Sequence, residues 1–291
     1  MQRVGGADSD VMVDMIVRCG AKDRTDFVFF NTGLEYRATL EHLDALEKRY
    51  DIRIERVRPV KSIPQSCREH GVPFRSKDFS QKIYAAQHHG FRWEDESLEV
   101  LSGRYQHLSG ALRWWCNYGS FRSYTIQSAA YLKEFIMQNP PDFPISDKCC
   151  TYAKKLPSRR YEKAGGYDLK CMGVRKEEGG LRGTAYKTCY TEGDGMDHFR
   201  PVWWLRNCDK QEYCEYYGII HSRCYTEYGM QRTGCVGCPF AMDFEDNLER
   251  MKKFEPHLYT AAVNIFGKSY EYTRQYKKFR DEMKSKAKSN R

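Results

Sequence analysis

Apolar and polar positions follow alternating patterns in the first part of the chain. Apolar residues between Val11 and Ile16 fall on one face of a helix that Gly20 ends. The run DFVFFNTG (26–33) is short and apolar and is closed by a turn, as in a buried strand. TLEHLDALEKRY (39–50) has leucines on one face and predicts a helix, whereas IRIERVRP (52–59) alternates like a strand. This order predicts an α/β fold in which helices cover a parallel sheet.

The pattern changes between about residues 91 and 139, which are rich in Trp, Tyr and polar residues. We interpret this stretch as a helical insertion whose core contains Trp114 and Trp115. The α/β pattern returns at LKCMGVR (169–175), and the last fifty residues read as helical. The predicted domains are an α/β domain over residues 1–240 and a helical C-terminal extension with a basic tail over residues 241–291.

The composition suits a globular protein in water, since 41% of the 291 residues are hydrophobic and 30% are charged. No apolar run reaches membrane-spanning length and the N-terminus lacks a signal-peptide pattern, so we expect a cytoplasmic location and no membrane partner. The net charge of +9 is uneven, because residues 268–291 hold nine Lys and Arg against three acidic residues. This basic tail predicts a solvated helix face, with a nucleic-acid contact as the alternative.

The segment VGGADSD (4–10) stands at the entrance of the first predicted helix. Gly5 and Gly6 permit backbone conformations and a close ligand approach that a side chain would prevent. Asp8 or Ser9 is expected to cap the helix. N–H groups at such an entrance form an anion site, so the segment is interpreted either as a capped surface turn or as an anion-binding loop.

Two pairs stand out among the twelve cysteines: Cys149 and Cys150 are adjacent, and Cys235 and Cys238 form the motif CVGC. In a reducing compartment, clustered cysteines bind metal or perform redox chemistry more often than they form disulfides. Adjacent cysteines rarely both reach one zinc ion, whereas a cubane offers separate iron corners. We therefore predict a 4Fe-4S cluster, with zinc or no metal as the alternatives, if the fold brings the two pairs together.

A third segment, GVRKEEGGLRG (173–183), places Arg175 and Arg182 across a glycine-rich turn that follows a predicted strand. Guanidinium groups bind phosphate or sulfate through two parallel hydrogen bonds. Glu177 and Glu178 would orient the arginines or bind a magnesium ion. The alternative interpretation is a charged surface loop.

Taken in order, these segments resemble the phosphoadenosine phosphosulfate reductase family, a branch of the adenine nucleotide α-hydrolase-like (PP-loop) fold. VGGADS resembles the family's pyrophosphate loop SGGxDS, and FFNTGLE resembles the strand-end DTG turn near the adenosine. DKCCTYAKKLPSRRYEK resembles the CC segment, GVRKEEGGLR the arginine motif, and QRTGCVGCPF the C-terminal CxxC. The opening segment is accordingly interpreted as a nucleotide phosphate loop.

The resemblance implies roles for particular residues. An adenine nucleotide, either ATP or an adenosine phosphosulfate, is expected to bind through Gly5, Gly6, Asp8, Ser9, Thr32 and Gly33. A 4Fe-4S cluster is expected on Cys149, Cys150, Cys235 and Cys238. The implied catalytic residues are Asp8, near a magnesium ion, and Arg175 and Arg182, which would stabilise charge on the leaving group.

The sequence departs from the family pattern at several positions. Val4 stands where the loop usually has its first serine, Asn31 replaces an acidic residue, and Gly179 replaces a common serine. Three residues precede the loop, so the first strand is expected to be nearly absent and to leave backbone groups of the sheet unpaired. Val4 and the shortened first strand are both expected to weaken nucleotide binding.

The family divides by chemistry, and its reductases attack a sulfonucleotide with a cysteine near the C-terminus. Here no cysteine follows Cys238. The pattern is more similar to cluster-bearing members that adenylate a substrate with ATP and transfer sulfur, such as the DNA phosphorothioation sulfurtransferases. We therefore expect ATP-dependent adenylation coupled to sulfur transfer, with a sulfur-donor protein as a partner. The alternatives are sulfonucleotide reduction through an internal cysteine, such as Cys67 or Cys224, and a non-catalytic nucleotide- or nucleic-acid-binding role.

Overall fold

The computed structural model describes residues 1–119, 121, 124–178 and 185–289, which form two compact units. The first unit comprises residues 1–62, 152–236 and 250–256, and the second comprises residues 63–151, 237–249 and 257–291. The predicted insertion at about 91–139 falls inside the second unit. The predicted boundary after residue 240 also falls within a segment of that unit.

A six-stranded sheet forms the centre of the first unit. Its strands are β1 (Gln2–Arg3), β2 (Phe27–Phe30), β3 (Ile54–Val57), β4 (Leu169–Cys171), β5 (Tyr190–Thr191) and β6 (Asp197–Phe199). The strand order is β3-β2-β1-β4-β6-β5, and all neighbours are parallel except β5 and β6. The predicted α/β class with a parallel sheet is confirmed.

The helices account for most of the remaining described chain. They are α1 (Ala7–Arg18), α2 (Arg37–Tyr50), α3 (Ile63–His70), α4 (Lys77–His88), α5 (Leu98–Arg104), α6 (Ser109–Trp115), α7 (Leu132–Gln138), α8 (Lys148–Cys150), α9 (Leu156–Gly165), α10 (Asn207–Tyr217), α11 (Arg223–Thr226), α12 (Phe244–Phe254) and α13 (Pro256–Ser289). A π-helical segment, Thr151–Lys155, connects α8 to α9.

Strand β1 is short, as expected, but it occupies an interior position of the sheet. The N–H of Gln2 donates to the carbonyl of Asp26 at 2.8 Å, on the side of β2. On the other side, the N–H of Cys171 donates to the carbonyl of Met1 at 2.9 Å. The expectation of unpaired backbone groups is therefore wrong at these positions, because so few residues still suffice to join β2 to β4.

The core of the first unit lies between the sheet and helices α1 and α2. Val11 and Met12 of α1, Phe27 of β2 and Leu43 of α2 are at most 2% exposed and belong to one apolar cluster. Burying an aliphatic or aromatic side chain of this size contributes about 1.5–3 kcal/mol. The apolar face predicted for each helix is thus the face that fixes it on the sheet.

The second unit is helical around an aromatic core. Trp114 and Trp115 are 2% and 1% exposed, which confirms their predicted burial. They share a cluster with Phe135 of α7 and Tyr272 of α13, whose hydroxyl donates to the carbonyl of Asn139 at 2.7 Å. In the part of the chain that the structure describes, no helix is both long and apolar enough to cross a bilayer.

Candidate functional site

A cleft of about 640 Å³ opens in the first unit where β1 and β4 end. Three segments supply much of its lining: the glycine loop (5–9), the stretch that follows β4 (172–178) and residues 231–233. Ligands of parallel sheets bind at the carboxyl ends of strands, where loops and helix N-termini converge. The cleft therefore combines the first predicted anion loop with the described part of the predicted arginine segment.

The glycine loop forms the entrance to α1. Gly5 has a φ of +115°, and a Cβ at this position would lie 2.8 Å from the Phe29 ring, so both backbone and space require glycine. Gly6 is the N-cap residue of α1, and its N–H donates to Ser9 Oγ at 2.8 Å. The prediction that Asp8 or Ser9 is the cap residue is wrong, because both lie in the first turn. Ser9 instead completes the cap from inside the helix.

Asp8 holds two cations at the floor of the cleft. Its Oδ1 accepts from Arg175 Nε at 2.9 Å and from Lys210 Nζ at 3.0 Å. Arg175 is only 6% exposed, so its charge is held in a partly desolvated position. Sequence reasoning predicted a role for Asp8 and Arg175 but missed Lys210, because α10 carries no phosphate-binding motif.

The two glutamates of the arginine segment hold Arg175 in place. Glu178 Oε1 accepts the backbone N–H of Arg175 at 3.0 Å. Glu177 Oε2 lies 3.6 Å from Arg175 Nη1 and also accepts the N–H of Asn207. This geometry matches the interpretation in which the glutamates orient arginine. Arg182, the other predicted catalytic arginine, lies outside the described residues.

Gly173 lets the chain after β4 approach the glycine loop closely. A Cβ on Gly173 would lie 3.2 Å from the carbonyl carbon of Asp8 and 3.2 Å from the nitrogen of Ser9. Those are backbone atoms of α1, so they cannot move aside as a flexible side chain would. The close contact sets the width of the cleft between the loop and Arg175.

Residues just before the CVGC motif also hold the glycine loop in place. Thr233 Oγ1 donates to the carbonyl of Gly5 at 3.2 Å and lies 2.8 Å from the Tyr225 hydroxyl. The N–H of Ala7 donates to the same hydroxyl at 3.3 Å. Arg232 adds a cation to the lining, with Nη2 3.7 Å from Glu178 Oε2. Neither Arg232 nor Thr233 was predicted as a site residue. Their positions just before the CVGC motif were the feature of the sequence that could have identified them.

A smaller cavity of about 310 Å³ adjoins the cleft and shares Arg3, Gly5 and Thr233 with it. Val4 lines this cavity and is absent from the lining of the cleft, and Glu35 lines it as well. Burial raises the pKa of the Glu35 carboxyl, against the lowering effect of its hydrogen bond from Thr32. This cavity therefore offers a partly apolar wall beside the charged cleft.

The predicted binding residues Thr32 and Gly33 form the turn after β2. Thr32 is fully buried, and its Oγ1 donates to Glu35 Oε1 at 2.6 Å. Gly33 has a φ of +76°, and a Cβ there would lie 2.7 Å from Ser62 Cβ. Neither residue lines the cleft or the smaller cavity. They shape the turn that positions Glu35.

A group of thiols lies in the second unit. Cys149, 4% exposed, interacts with the thiols of Cys150 and Cys67 and with the charge of Cys238. The hydrogen bond with Cys150 lowers the pKa of Cys149, but the hydrogen bond with Cys67, burial and the charges of Cys67 and Cys238 raise it well above its ordinary value. Across the described residues, no three His, Cys, Asp or Glu side chains are arranged as a metal site. Three of the four predicted cluster ligands thus belong to one unit, whereas Cys235 belongs to the first.

Comparisons with known proteins give matches of different extent. Residues 1–92 match the family model described as the phosphoadenosine phosphosulfate reductase domain. Over 79 residues, the chain is 34% identical to an uncharacterized protein of Methanocaldococcus jannaschii. Those residues make up 27% of this chain and 16% of that protein. The structure is similar to the crystal structure of a phosphoadenylyl-sulfate reductase from Candida auris in complex with phosphate. That likeness has a TM-score of 0.46 and 14% identity, and it covers 80% of this chain and 79% of the other.

Proposed function

We propose that the chain belongs to the phosphoadenosine phosphosulfate reductase family, whose domain model matches residues 1–92, and that it binds an adenine nucleotide in the cleft. The proposed reaction is ATP-dependent adenylation of a substrate, coupled to sulfur transfer. One observation carries the proposal: the glycine loop, the start of α1 and the cations Arg175 and Lys210 converge on one cleft.

The charges of the cleft suit a polyphosphate. Its lining contains four cations and three carboxylates, namely Arg3, Arg175, Lys210 and Arg232 against Asp8, Glu177 and Glu178. The helix α1 adds its positive N-terminal end to the same space. In adenylation, negative charge builds up on the pyrophosphate that leaves. Cations already fixed by neighbouring carboxylates stabilise such charge without having to reorganise.

The hydrogen bonds of the Asp8 carboxylate affect how this residue would contact the expected magnesium ion. With Arg175 and Lys210 on the same carboxylate oxygen, Asp8 serves to position these cations. We propose that magnesium enters with the triphosphate. Both of these hydrogen bonds are made to Oδ1, so they do not involve the Oδ2 oxygen of the carboxylate.

The structure weakens the alternative of a sulfonucleotide reductase with an internal nucleophile. Cys224 is fully buried, and burial raises the pKa of its thiol, which keeps it in the unreactive protonated form. Cys67 is 6% exposed and interacts with Cys149. Neither thiol lines the cleft of the first unit. Cys67 and Cys224 are therefore poorly suited to act as the nucleophile of a reductase.

The thiols fit an iron–sulfur cluster by the chemistry of the donor set. Cysteine sulfurs are the ligands that iron–sulfur clusters use. We propose Cys149, Cys150, Cys235 and Cys238 as the ligands of a 4Fe-4S cluster, as the family resemblance implies. When bound, such a cluster supplies electron transfer or a structural link between distant segments of a chain.

Calorimetric titration with ATP and a pyrophosphate-release assay test the proposal together. The wild-type chain should bind ATP, and Gly6→Leu should abolish binding because the added side chain enters the loop beside Tyr225. Gly103→Leu is the matched control, since a Cβ at Gly103 in the second unit meets nothing within 4 Å. Equal ATP affinity in all three proteins would place the nucleotide elsewhere. Thioredoxin-dependent sulfite release from a sulfonucleotide, without pyrophosphate release from ATP, would restore the reductase alternative.

A further inference from the structure

A second cluster of titratable side chains lies in the first unit, outside the lining of the cleft. Cys214 Sγ lies 3.5 Å from His221 Nε2, and His221 Nδ1 lies 2.8 Å from Asp10 Oδ2. Asp10 is 1% exposed, whereas the His221 side chain is 19% exposed. A thiol, an imidazole and a buried carboxylate are thus joined in sequence, with the thiol at the more accessible end.

The local fold explains why these residues meet. Helix α10 ends at Gly218, which has a φ of +60°, and the N–H of Ile219 donates back to the carbonyl of Cys214 at 2.8 Å. This reversal returns the chain along the helix, so His221 faces Cys214. Asp10 approaches from α1, and its other oxygen lies 3.0 Å from His42 Nε2 of α2, although the two atoms are not aligned for a hydrogen bond.

We propose that Cys214 is a nucleophile activated by the adjacent His221, and that it accepts sulfane sulfur from a persulfide donor. Asp10 is a positioning residue that orients the imidazole. The inference rests on the proposed sulfur-transfer function, since it assigns the residue that receives the sulfur. Cys214 lies one helical turn after Lys210, which binds Asp8 at the floor of the cleft.

The chemistry is that of a nucleophile with an adjacent, oriented base. Burial lowers the pKa of His221, but its interactions with Asp10 and Cys214 outweigh burial and raise that pKa to about 9. The third titratable group that faces the imidazole is Tyr225 of α11, whose ring centre lies 6.0 Å away. The surroundings therefore favour an imidazolium beside the Cys214 sulfur at neutral pH.

The proposed step balances without a further reagent. The Cys214 thiolate attacks the outer sulfur of a persulfide R–S–SH, and an S–S bond forms while that of the donor breaks. The donor leaves as R–S⁻ and takes the proton from His221. Cys214 becomes a persulfide, and its oxidation is matched by the reduction of the donor to a thiol.

Cys208 provides a matched comparison on the same helix. It is exposed, and its sulfur donates at 3.6 Å to the carboxylate of Asp209, which also pairs with Arg206. Accessibility alone therefore predicts faster reaction at Cys208, whereas the proposal predicts faster reaction at Cys214. Trypsin cleavage after Lys210 separates the two cysteines into different peptides.

The experiment treats the full reduced chain at pH 7 with iodoacetamide, and separately with glutathione persulfide, and quantifies both peptides by mass spectrometry. We expect Cys214 to react at least about tenfold faster than Cys208, as a thiolate does relative to an ordinary thiol. His221→Gln should remove this difference. Circular dichroism of the variant checks that it is folded, and Cys208→Ser should leave the rate at Cys214 unchanged.

The outcomes separate this inference from the proposed function. Equal or faster reaction at Cys208, or no effect of His221→Gln in a folded variant, would overturn the assignment of the thiolate. Rapid alkylation without persulfide formation would overturn its role as sulfur acceptor. Because neither reagent involves ATP, a chain that fails to release pyrophosphate but loads Cys214 would contradict only adenylation.

Discussion

Asp8 illustrates at the scale of single residues how a motif acquires a different role in three dimensions. Its position in the glycine loop suggested a helix cap, and the family resemblance implied a place near a magnesium ion; its carboxylate binds Arg175 and Lys210. The first partner lies 167 residues away in the chain and the second 202. Sequence spacing carries no information about such contacts. The contact with Arg175 exists because the ends of the neighbouring strands β1 and β4 meet at one edge of the sheet, and Lys210 reaches Asp8 from helix α10.

Lys210 is the residue whose removal should most directly test the electrostatics of the cleft. We expect Lys210→Ala to lower ATP affinity by about ten- to a hundredfold, because a hydrogen bond to a charged group contributes about 1.5–3 kcal/mol. The loss should shrink as salt is raised, since screening weakens what the lysine adds.

Gln211→Ala is the control for Lys210→Ala, because its exposed side chain bonds only within α10, to Glu215 at 2.9 Å, among the contacts described. Calorimetric titration of the two variants at two salt concentrations makes the comparison. An unchanged affinity in Lys210→Ala would remove this lysine from the binding site.

Val4 is a second residue whose position in the structure was not predicted from the loop motif. The missing serine hydroxyl was expected to weaken phosphate binding, but Val4 lines the smaller cavity and packs against the core of the first unit. The nearest polar support of the loop comes from Ser9 and Thr233. Weak binding because of Val4 therefore stays a prediction.

At the scale of elements, the sequence predicted the parts of the fold that local pattern determines. The apolar faces of α1 and α2 and the buried run of β2 were predicted from periodicity and are found in the core. The thiols of α3 and α8 could not be paired in this way, since Cys67 and Cys149 meet only through the packing of two helices. Cys67 was considered only as a nucleophile, and its neighbours are instead the predicted cluster ligands.

The proposed cluster gives a prediction at this scale. Anaerobically purified protein should be brown, with iron and labile sulfide, and Cys149→Ser should remove both because a ligand is lost. Cys19→Ser, at an exposed cysteine of the first unit, should leave the colour unchanged. Metal analysis and absorbance spectra make the measurement. Stoichiometric zinc without sulfide would contradict the cluster and support the alternative of a zinc site.

At the scale of the whole molecule, the positive charge counted for the C-terminal helix is partly balanced by acidic side chains. Part of the basic C-terminal helix is neutralised, since Arg274 pairs with Glu245 at 2.8 Å and Arg280 with Asp281 at 2.8 Å. Nucleic-acid binding by this helix stays a prediction. These ion pairs leave the lysines after residue 281 as the part of the helix best able to contact phosphates.

His221 links the stability of the protein to pH. Its pKa of about 9 in the folded state lies above the ordinary 6.5, so protonation stabilises the fold. This contribution is fully present below pH 6.5 and is lost as the pH rises through about 9. Its size is on the order of 3 kcal/mol, from the cost of one pKa unit.

Urea unfolding at pH 7 and pH 10 measures this linkage. The wild-type free energy of unfolding should fall more over this interval than that of His221→Gln, which lacks the titrating group. The difference between the two proteins isolates His221 from other groups that titrate at high pH. An equal fall in the free energy of unfolding of the wild type and of His221→Gln would show that folding does not raise the pKa of His221.

The interior position of the short strand β1 has a consequence for the order of events during synthesis. Its partner β2 follows soon after it, but the N-terminal amine of Met1 reaches the carbonyl of Leu169, 168 residues later. At a translation rate of about 5–20 residues per second, one edge of β1 waits roughly ten to thirty seconds on the ribosome for β4. During that interval an incomplete sheet of β3, the phenylalanine-rich β2 and β1 would have β1 as an open edge. Chaperone supply and the pace of translation between these two strands should therefore govern the yield of folded protein more than its final stability does.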